Sequence, residues 1–183
     1  GYSHNHPFIR FLQWIEDFAY KKSDKVISVL HNAIEHMVSR GMLSEKFIWI
    51  PNGIHSTELE HAEPLNKSVE NTLPKDKFVV GYTGTFGLAN NLNSLIEAAK
   101  ILKTETDIVF VLVGDGREKS NLAQMSKMQN NVIFIDPIKN IQVQSILKKF
   151  DVCFVGAKDL SIYRFGTSPN KLAQYMYASK PII

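Results

Sequence analysis

The chain has 183 residues and a single cysteine, Cys153, so it cannot build an internal disulfide framework. Cys153 lies in the apolar run Asp151-Val-Cys-Phe-Val155, where a lone thiol acts as a small hydrophobe in a strand. A reducing, cytoplasmic compartment is the expectation. No run approaches the roughly 20 apolar residues that span a bilayer, and Gly-Tyr-Ser-His-Asn-His at the start lacks the regions of a signal peptide. Charge of one sign is also scarce: 21 Lys+Arg against 18 Asp+Glu leave a net charge of +3, too small an excess to mark a nucleic-acid footprint without clustering. No internal repeat or low-complexity tract occurs. With 44% hydrophobic and 21% charged residues, the composition is that of a globular chain, which excludes disorder and collagen-like structure.

What is present alternates. Phe8, Phe11, Leu12, Ile15, Phe18 and Ala19 give a helix over 7–22, its C-terminal Lys21 and Lys22 suited to the macrodipole. The acidic pair Glu16-Asp17 argues against a membrane-surface helix and for one packed on a sheet. A strand over 25–30, a helix over 32–40 closed by Gly41, and a strand over 47–50 follow. Residues 55–77, polar and carrying Pro64 and Pro74, read as a linker or long loop. Strands are then expected at 78–82, 108–113, 131–136, 152–155 and 181–183. Helices are expected at 92–103, 117–129 (Leu122, Met125 and Met128 inward), 140–150 and 169–178. Near-continuous Val/Ile/Phe strands alternating with helices predict a doubly wound parallel α/β sheet covered on both faces. The strand at 181–183 stops abruptly, and the chain reads as a fragment of a longer protein.

Ligands of such sheets bind beyond the carboxyl ends of the strands. Four loops lie there. Gly81-Tyr-Thr-Gly-Thr-Phe-Gly87 is glycine-rich but has neither the dinucleotide spacing nor the G-K-[ST] of a P-loop, so it is a tight turn or an anion-binding turn. Val113-Gly-Asp-Gly116 is an ordinary strand-to-helix turn in which Asp115 could cap, or a ligand loop by its position. Ile135-Asp-Pro-Ile138 is a turn stiffened by Pro137. The fourth begins Arg164-Phe-Gly-Thr-Ser-Pro-Asn-Lys171. Ser168 suits an N-cap, Pro169 the first helical position, and Lys171 puts a cation where the helix dipole prefers an anion. A phosphate before this helix would reconcile the conflict. His4 and His6 near the terminus, and His31 and His36 five apart, do not form a metal-binding pattern, so no metal is expected.

Asp24-Lys-Val-Ile-Ser, Glu45-Lys-Phe-Ile-Trp-Ile-Pro-Asn-Gly-Ile54, Gly84-Thr-Phe-Gly87 with its Leu-Ile-Glu-Ala-Ala helix, Leu112-Val-Gly-Asp-Gly116, and Ser168-Pro-Asn-Lys-Leu-Ala-Gln-Tyr-Met176 with Lys180-Pro181 occur in the order seen in family 4 glycosyltransferases. The chain resembles the bacterial surface-polysaccharide subgroup that includes N-acetylfucosamine transferases of O-antigen and capsule synthesis. The resemblance implies a GT-B fold. Residues 1–53 would be the tail of an acceptor-binding domain, 54–77 a linker and 78–183 a truncated donor-binding domain.

It implies sugar transfer, with retention of configuration, from a nucleoside diphosphate, UDP foremost, to a lipid-linked surface glycan. No cofactor, metal or nucleic acid is implied, and contact with the inner face of the membrane would be peripheral. The donor diphosphate would face Gly84, Gly87, Thr167, Ser168 and Lys171, with Arg164 as a further cation and Ile138 beside the base. The family's E-x7-E glutamates map to Gly166 and Gln174, of which Gln174 keeps a hydrogen bond for the ribose. The basic pair of the first glycine loop maps to Thr85 and Asn90. The fragment alone is expected to bind nucleotide at most. The rival readings are a non-catalytic or degenerate nucleotide-binding module and a GT-B-type nucleotide-sugar epimerase.

Overall fold

The computed structural model describes residue 3, residues 5–54 and residues 59–183; His4 and part of the expected linker lie outside the described residues. Two compact units emerge, one of residues 1–52 with 160–168 and the other of residues 53–159 with 169–183.

The smaller unit starts with α1 (Pro7–Lys22), followed by β1 (Val26–Ser28), α2 (Ala33–Ser39) and β2 (Phe47–Trp49). β1 and β2 pair in parallel, Val26 opposite Phe47 and Ser28 opposite Trp49. Gly41 follows α2 at φ +99°, the left-handed conformation that glycine adopts without a Cβ penalty. Arg40 grips Asp17 of α1 through both carboxylate oxygens, at 2.8 and 2.7 Å. The helix over 7–22 forms as its periodicity predicts. Its apolar stripe is not packed on a sheet: Phe8, Phe11, Trp14 and Phe18 are each half exposed or more, and no α1 residue is buried. Phe11, Trp14 and Phe18 stack along the helix instead.

The larger unit contains α3 (Lys67–Thr72), β3 (Phe78–Thr83), α4 (Leu92–Ile101), β4 (Ile108–Val113), α5 (Lys119–Met125), β5 (Val132–Ile135), α6 (Val143–Leu147), β6 (Val152–Cys153) and α7 (Asn170–Tyr177). The strands pair in parallel in the order β5-β4-β3-β6. The terminal segment continues the sheet beyond β6 through a parallel bridge between Cys153 and Ile182. One apolar cluster, around Val111, Ile146, Leu147 and Phe150, and a second, around Tyr82, Phe86, Leu95 and Leu112, account for strands that are hydrophobic at nearly every position. This is the doubly wound α/β fold that the alternation predicts.

Three expectations change. Where a linker over 54–77 is expected, α3 forms, and Leu65 and Leu73 are buried in the first cluster, because the polar residues between them face out. The helix expected over 117–129 ends at Met125, so Met128, expected inward, is 93% exposed in the turn beyond it. The helix expected from Pro169 starts at Asn170, and Ser168 does not cap it, because the Ser168 hydroxyl accepts from the Asn52 N–H at 3.0 Å.

Candidate functional site

The carboxyl ends of β3, β4 and β5 carry three loops that are hydrogen-bonded to one another. Gly84 N–H donates to Val113 O (2.9 Å), Gly114 N–H to Ile135 O (3.0 Å), Phe86 N–H to Asp115 O (2.8 Å) and Glu118 N–H to Phe86 O (3.0 Å). Gly84 (φ +137°) and Gly114 (φ +144°) adopt a backbone closed to most residues, and Gly116 lies against the Phe86 main chain, where a Cβ would come within 2.4 Å of its oxygen. Asp115 does not cap α5. Its carboxylate accepts from its neighbour Gly116 N–H at 2.8 Å, and Glu118 occupies the cap position, its side chain accepting from Asn121 Nδ2 at 3.3 Å rather than capping a backbone N–H. The third loop is tied in by Lys119, which reaches Asp136 at 2.6 Å.

Between these loops lies a cleft of about 310 Å³, lined by Gly84 and Thr85 from the first loop, Gly114 and Asp115 from the second, and Pro137 and Ile138 from the third. Gly84 and Ile138, singled out in the sequence, thus meet in one cleft. Gly87 does not line it, and its N–H is used by Thr85 O at 3.0 Å.

Lys171 of α7 brings the charge. Its Nζ donates to Tyr82 Oη at 2.8 Å and to Asn90 Oδ1 at 3.3 Å, and sits 4.2 Å from the Tyr82 ring centroid. A Cβ on Gly84 would be 3.4 Å from that ammonium, which fixes the cation at the glycine turn. Among the described residues no carboxylate pairs with it, and burial lowers its pKa from 10.5 to about 8. The first glycine loop has no cation of its own at Thr85 or Asn90, and α7 supplies one beside Asn90. One helical turn on, Tyr175 is fully buried and its hydroxyl accepts from the Thr83 N–H at 3.1 Å. Burial raises the pKa values of Tyr82 and Tyr175, so both are neutral hydrogen-bonding groups. Gln174 is half buried, and its carbonyl accepts from Gln144 Nε2 at 3.2 Å.

Sequence reasoning did not find Tyr82 or Tyr175 as parts of this arrangement. The available signal is that a buried tyrosine needs a partner for its hydroxyl. Arg164, Gly166, Thr167 and Ser168 belong to the smaller unit. There Arg164 stacks on the Phe165 ring at 4.6 Å, Phe165 O accepts from the Asn32 N–H at 3.1 Å, and Gly166 takes φ +101°. Cys153 is fully buried and free, and desolvation pushes its thiol up to about 11, which leaves it inert as a nucleophile. Among the described residues no group of three His, Cys, Asp or Glu side chains converges, and no helix is long and apolar enough to cross a membrane.

A parallel, doubly wound sheet with its glycine loops gathered at the carboxyl ends defines a Rossmann-like α/β domain. Residues 77–183 match the family model described as glycosyl transferases group 1, and the chain belongs to that family. It is 26% identical over 137 residues to WcaI of Escherichia coli (strain K12), a protein named as a colanic acid biosynthesis glycosyl transferase; the match covers 71% of this chain and 33% of that protein. Among solved structures it resembles HepE of Anabaena in complex with UDP-glucose (TM-score 0.69, 18% identity, 98% of this chain and 50% of that one). It also resembles WaaG, a glycosyltransferase involved in lipopolysaccharide biosynthesis (TM-score 0.71, 15% identity, 98% and 49%). These likenesses show the GT-B glycosyltransferase fold. The chain spans a third of the length of WcaI and about half of the two solved chains.

Proposed function

We propose that the larger unit is the donor-binding domain of a retaining glycosyltransferase, and that the smaller unit belongs to its acceptor-binding domain. The enzyme moves a sugar from a nucleoside diphosphate, UDP foremost, to a lipid-linked surface polysaccharide at the inner face of the cell membrane. The observation that carries the reading is Lys171, a half-buried ammonium with no carboxylate partner among the described residues, held at the Gly84 turn beside an open cleft. A desolvated, unpaired cation is costly unless an anion completes it. Two further findings support the assignment: HepE is solved with UDP-glucose, and WcaI and WaaG are named for polysaccharide and lipopolysaccharide synthesis.

Transfer requires little covalent machinery from this domain. The donor must be oriented, and the charge growing on the leaving diphosphate must be stabilised where water is excluded. Lys171 would meet that charge, Ile138 would pack against the base, and Gln174 would hydrogen-bond the ribose. The diphosphate itself would lie at the Gly84 turn, beside the Lys171 ammonium. Calorimetric titration with UDP tests the reading. Binding is expected, and Lys171→Met should weaken it about tenfold to a hundredfold, the loss of one charge-assisted hydrogen bond. No binding of UDP, GDP or ADP overturns it.

Gly166 favours a second reading, a nucleotide-binding module that has lost transfer. Its φ of +101° strains any residue with a side chain, and Gln174 is neutral, so neither position of the E-x7-E pair carries a carboxylate. Nucleotide binding without sugar transfer by the whole protein would select this reading.

A further inference from the structure

Four groups around the Gly84 turn form a closed circuit. The Thr85 carbonyl accepts from the Tyr82 hydroxyl at 2.8 Å and from Asn90 Nδ2 at 2.9 Å. The oxygens of those same two side chains, Tyr82 Oη and Asn90 Oδ1, both accept from Lys171 Nζ, at 2.8 and 3.3 Å. Each donor and acceptor has one consistent role: the phenol's proton goes to Thr85, so its lone pair faces the ammonium; the amide's NH2 goes to Thr85, so its carbonyl faces the ammonium. An ammonium has three N–H groups, and the circuit uses two. Among the described residues nothing takes the third.

We propose that Tyr82 and Asn90 are positioning residues, which lock the Lys171 ammonium to the Thr85 carbonyl so that its third N–H is presented to an anion at the Gly84 turn. This deepens the nucleotide-sugar reading and rests on it: the anion is the donor diphosphate. The circuit also couples binding to protons. Among the described residues, the groups facing Lys171 are the phenol of Tyr82 on β3 and neutral Asn90 in the turn before α4; desolvation alone accounts for the shift of the lysine to about 8. In the unliganded protein Lys171 therefore loses its proton above about pH 8, and a bound diphosphate restores it. Affinity for UDP should fall as pH rises from 7 to 9.

The two positioning residues are expected to move that midpoint in opposite directions. Tyr82→Phe keeps the ring under the cation but removes an acceptor, so the ammonium is less stabilised: the midpoint should drop and UDP should bind about three- to tenfold more weakly at pH 7. Asn90→Asp places a carboxylate on the ammonium. The midpoint should rise, and UDP should again weaken by about tenfold as the new charge competes with the diphosphate. Asn90 is only partly buried, so its variant tests the circuit even if Tyr82→Phe is unstable.

The measurement is UDP titration of the full chain and both variants at half-unit steps from pH 7 to 9, with the melting temperature alongside. Opposite shifts of midpoint support the proposal. Midpoints unmoved in both variants, with affinity tracking melting temperature, overturn the positioning role and leave the nucleotide reading standing. Absence of UDP binding by the wild-type chain throughout overturns both.

Discussion

Gly114 packs directly on the carbonyl of Gly84: a Cβ built on Gly114 would stand 1.9 Å from that oxygen. The atom in the way is backbone, already fixed by the bond from Gly84 N–H to Val113 O. Two loops that are 30 residues apart in sequence therefore share one surface, and the cleft between the strand ends keeps its shape only while both positions lack side chains.

Gly114→Ala should destabilise the fold by at least about 3 kcal/mol, combining the strain of φ +144° with the displacement of the Gly84 turn. Gly53→Ala, where a Cβ meets nothing within 4 Å, is the control and should stay within about 0.5 kcal/mol. Urea denaturation of both variants checks the contrast. Equal midpoints would refute the interlock.

Lys171→Met should stabilise the protein at neutral pH while weakening UDP binding. The folded-state pKa of about 8 lies below the ordinary 10.5, so between those values the unfolded chain binds more protons than the folded one. Wild-type stability therefore gains from this group as pH climbs from about 8 to 10.5, and below about 8 the full cost of the buried charge is present. The variant carries no such cost. A gain in melting temperature of about 2–4 °C per kcal/mol relieved is expected at pH 7, narrowing towards pH 10.5. A gap that is constant across this range would contradict the assignment.

Tyr175→Phe should cost about 1–3 kcal/mol without changing the packing volume, because it leaves a buried donor unpaired. β6 pairs only with Val80 and Gly81, so beyond its end the Thr83 N–H has no strand partner, and the Tyr175 hydroxyl takes that role at 3.1 Å. Chemical denaturation gives the energy, and amide exchange gives the location. Protection at Thr83 should fall first, and unchanged protection would argue against the substitution of a side chain for a strand.

The parallel sheet was legible because Val79–Tyr82 and Val109–Val113 are buried on both faces, which writes an unbroken apolar run into the sequence. The glycine turns were legible as loops for the same reason, being bounded by those runs. Contacts between distant positions leave no such trace. Ser168 has the residue type of a cap, yet its hydroxyl is taken by Asn52, 116 positions away. Lys171 looked like a misplaced charge at a helix start. Nothing local told that its partners would be a tyrosine 89 residues and an asparagine 81 residues earlier. The stripe on α1 shows the reverse case: periodicity specifies the helix, and exposure of Phe11 and Trp14 shows that the pattern does not say what covers the stripe.

Cys153 turns the edge of the sheet into its own recorder. The thiol is fully buried in β6, between β3 on one side and the segment that pairs through Ile182 on the other. With a single sulfhydryl in the chain and burial holding it protonated to about pH 11, alkylation in the native state must wait for that edge to open. The rate of labelling by an excess of iodoacetamide at pH 8 therefore reads the opening free energy of one strand pair without any engineered probe. A diphosphate that holds α7 to the strand ends should slow it.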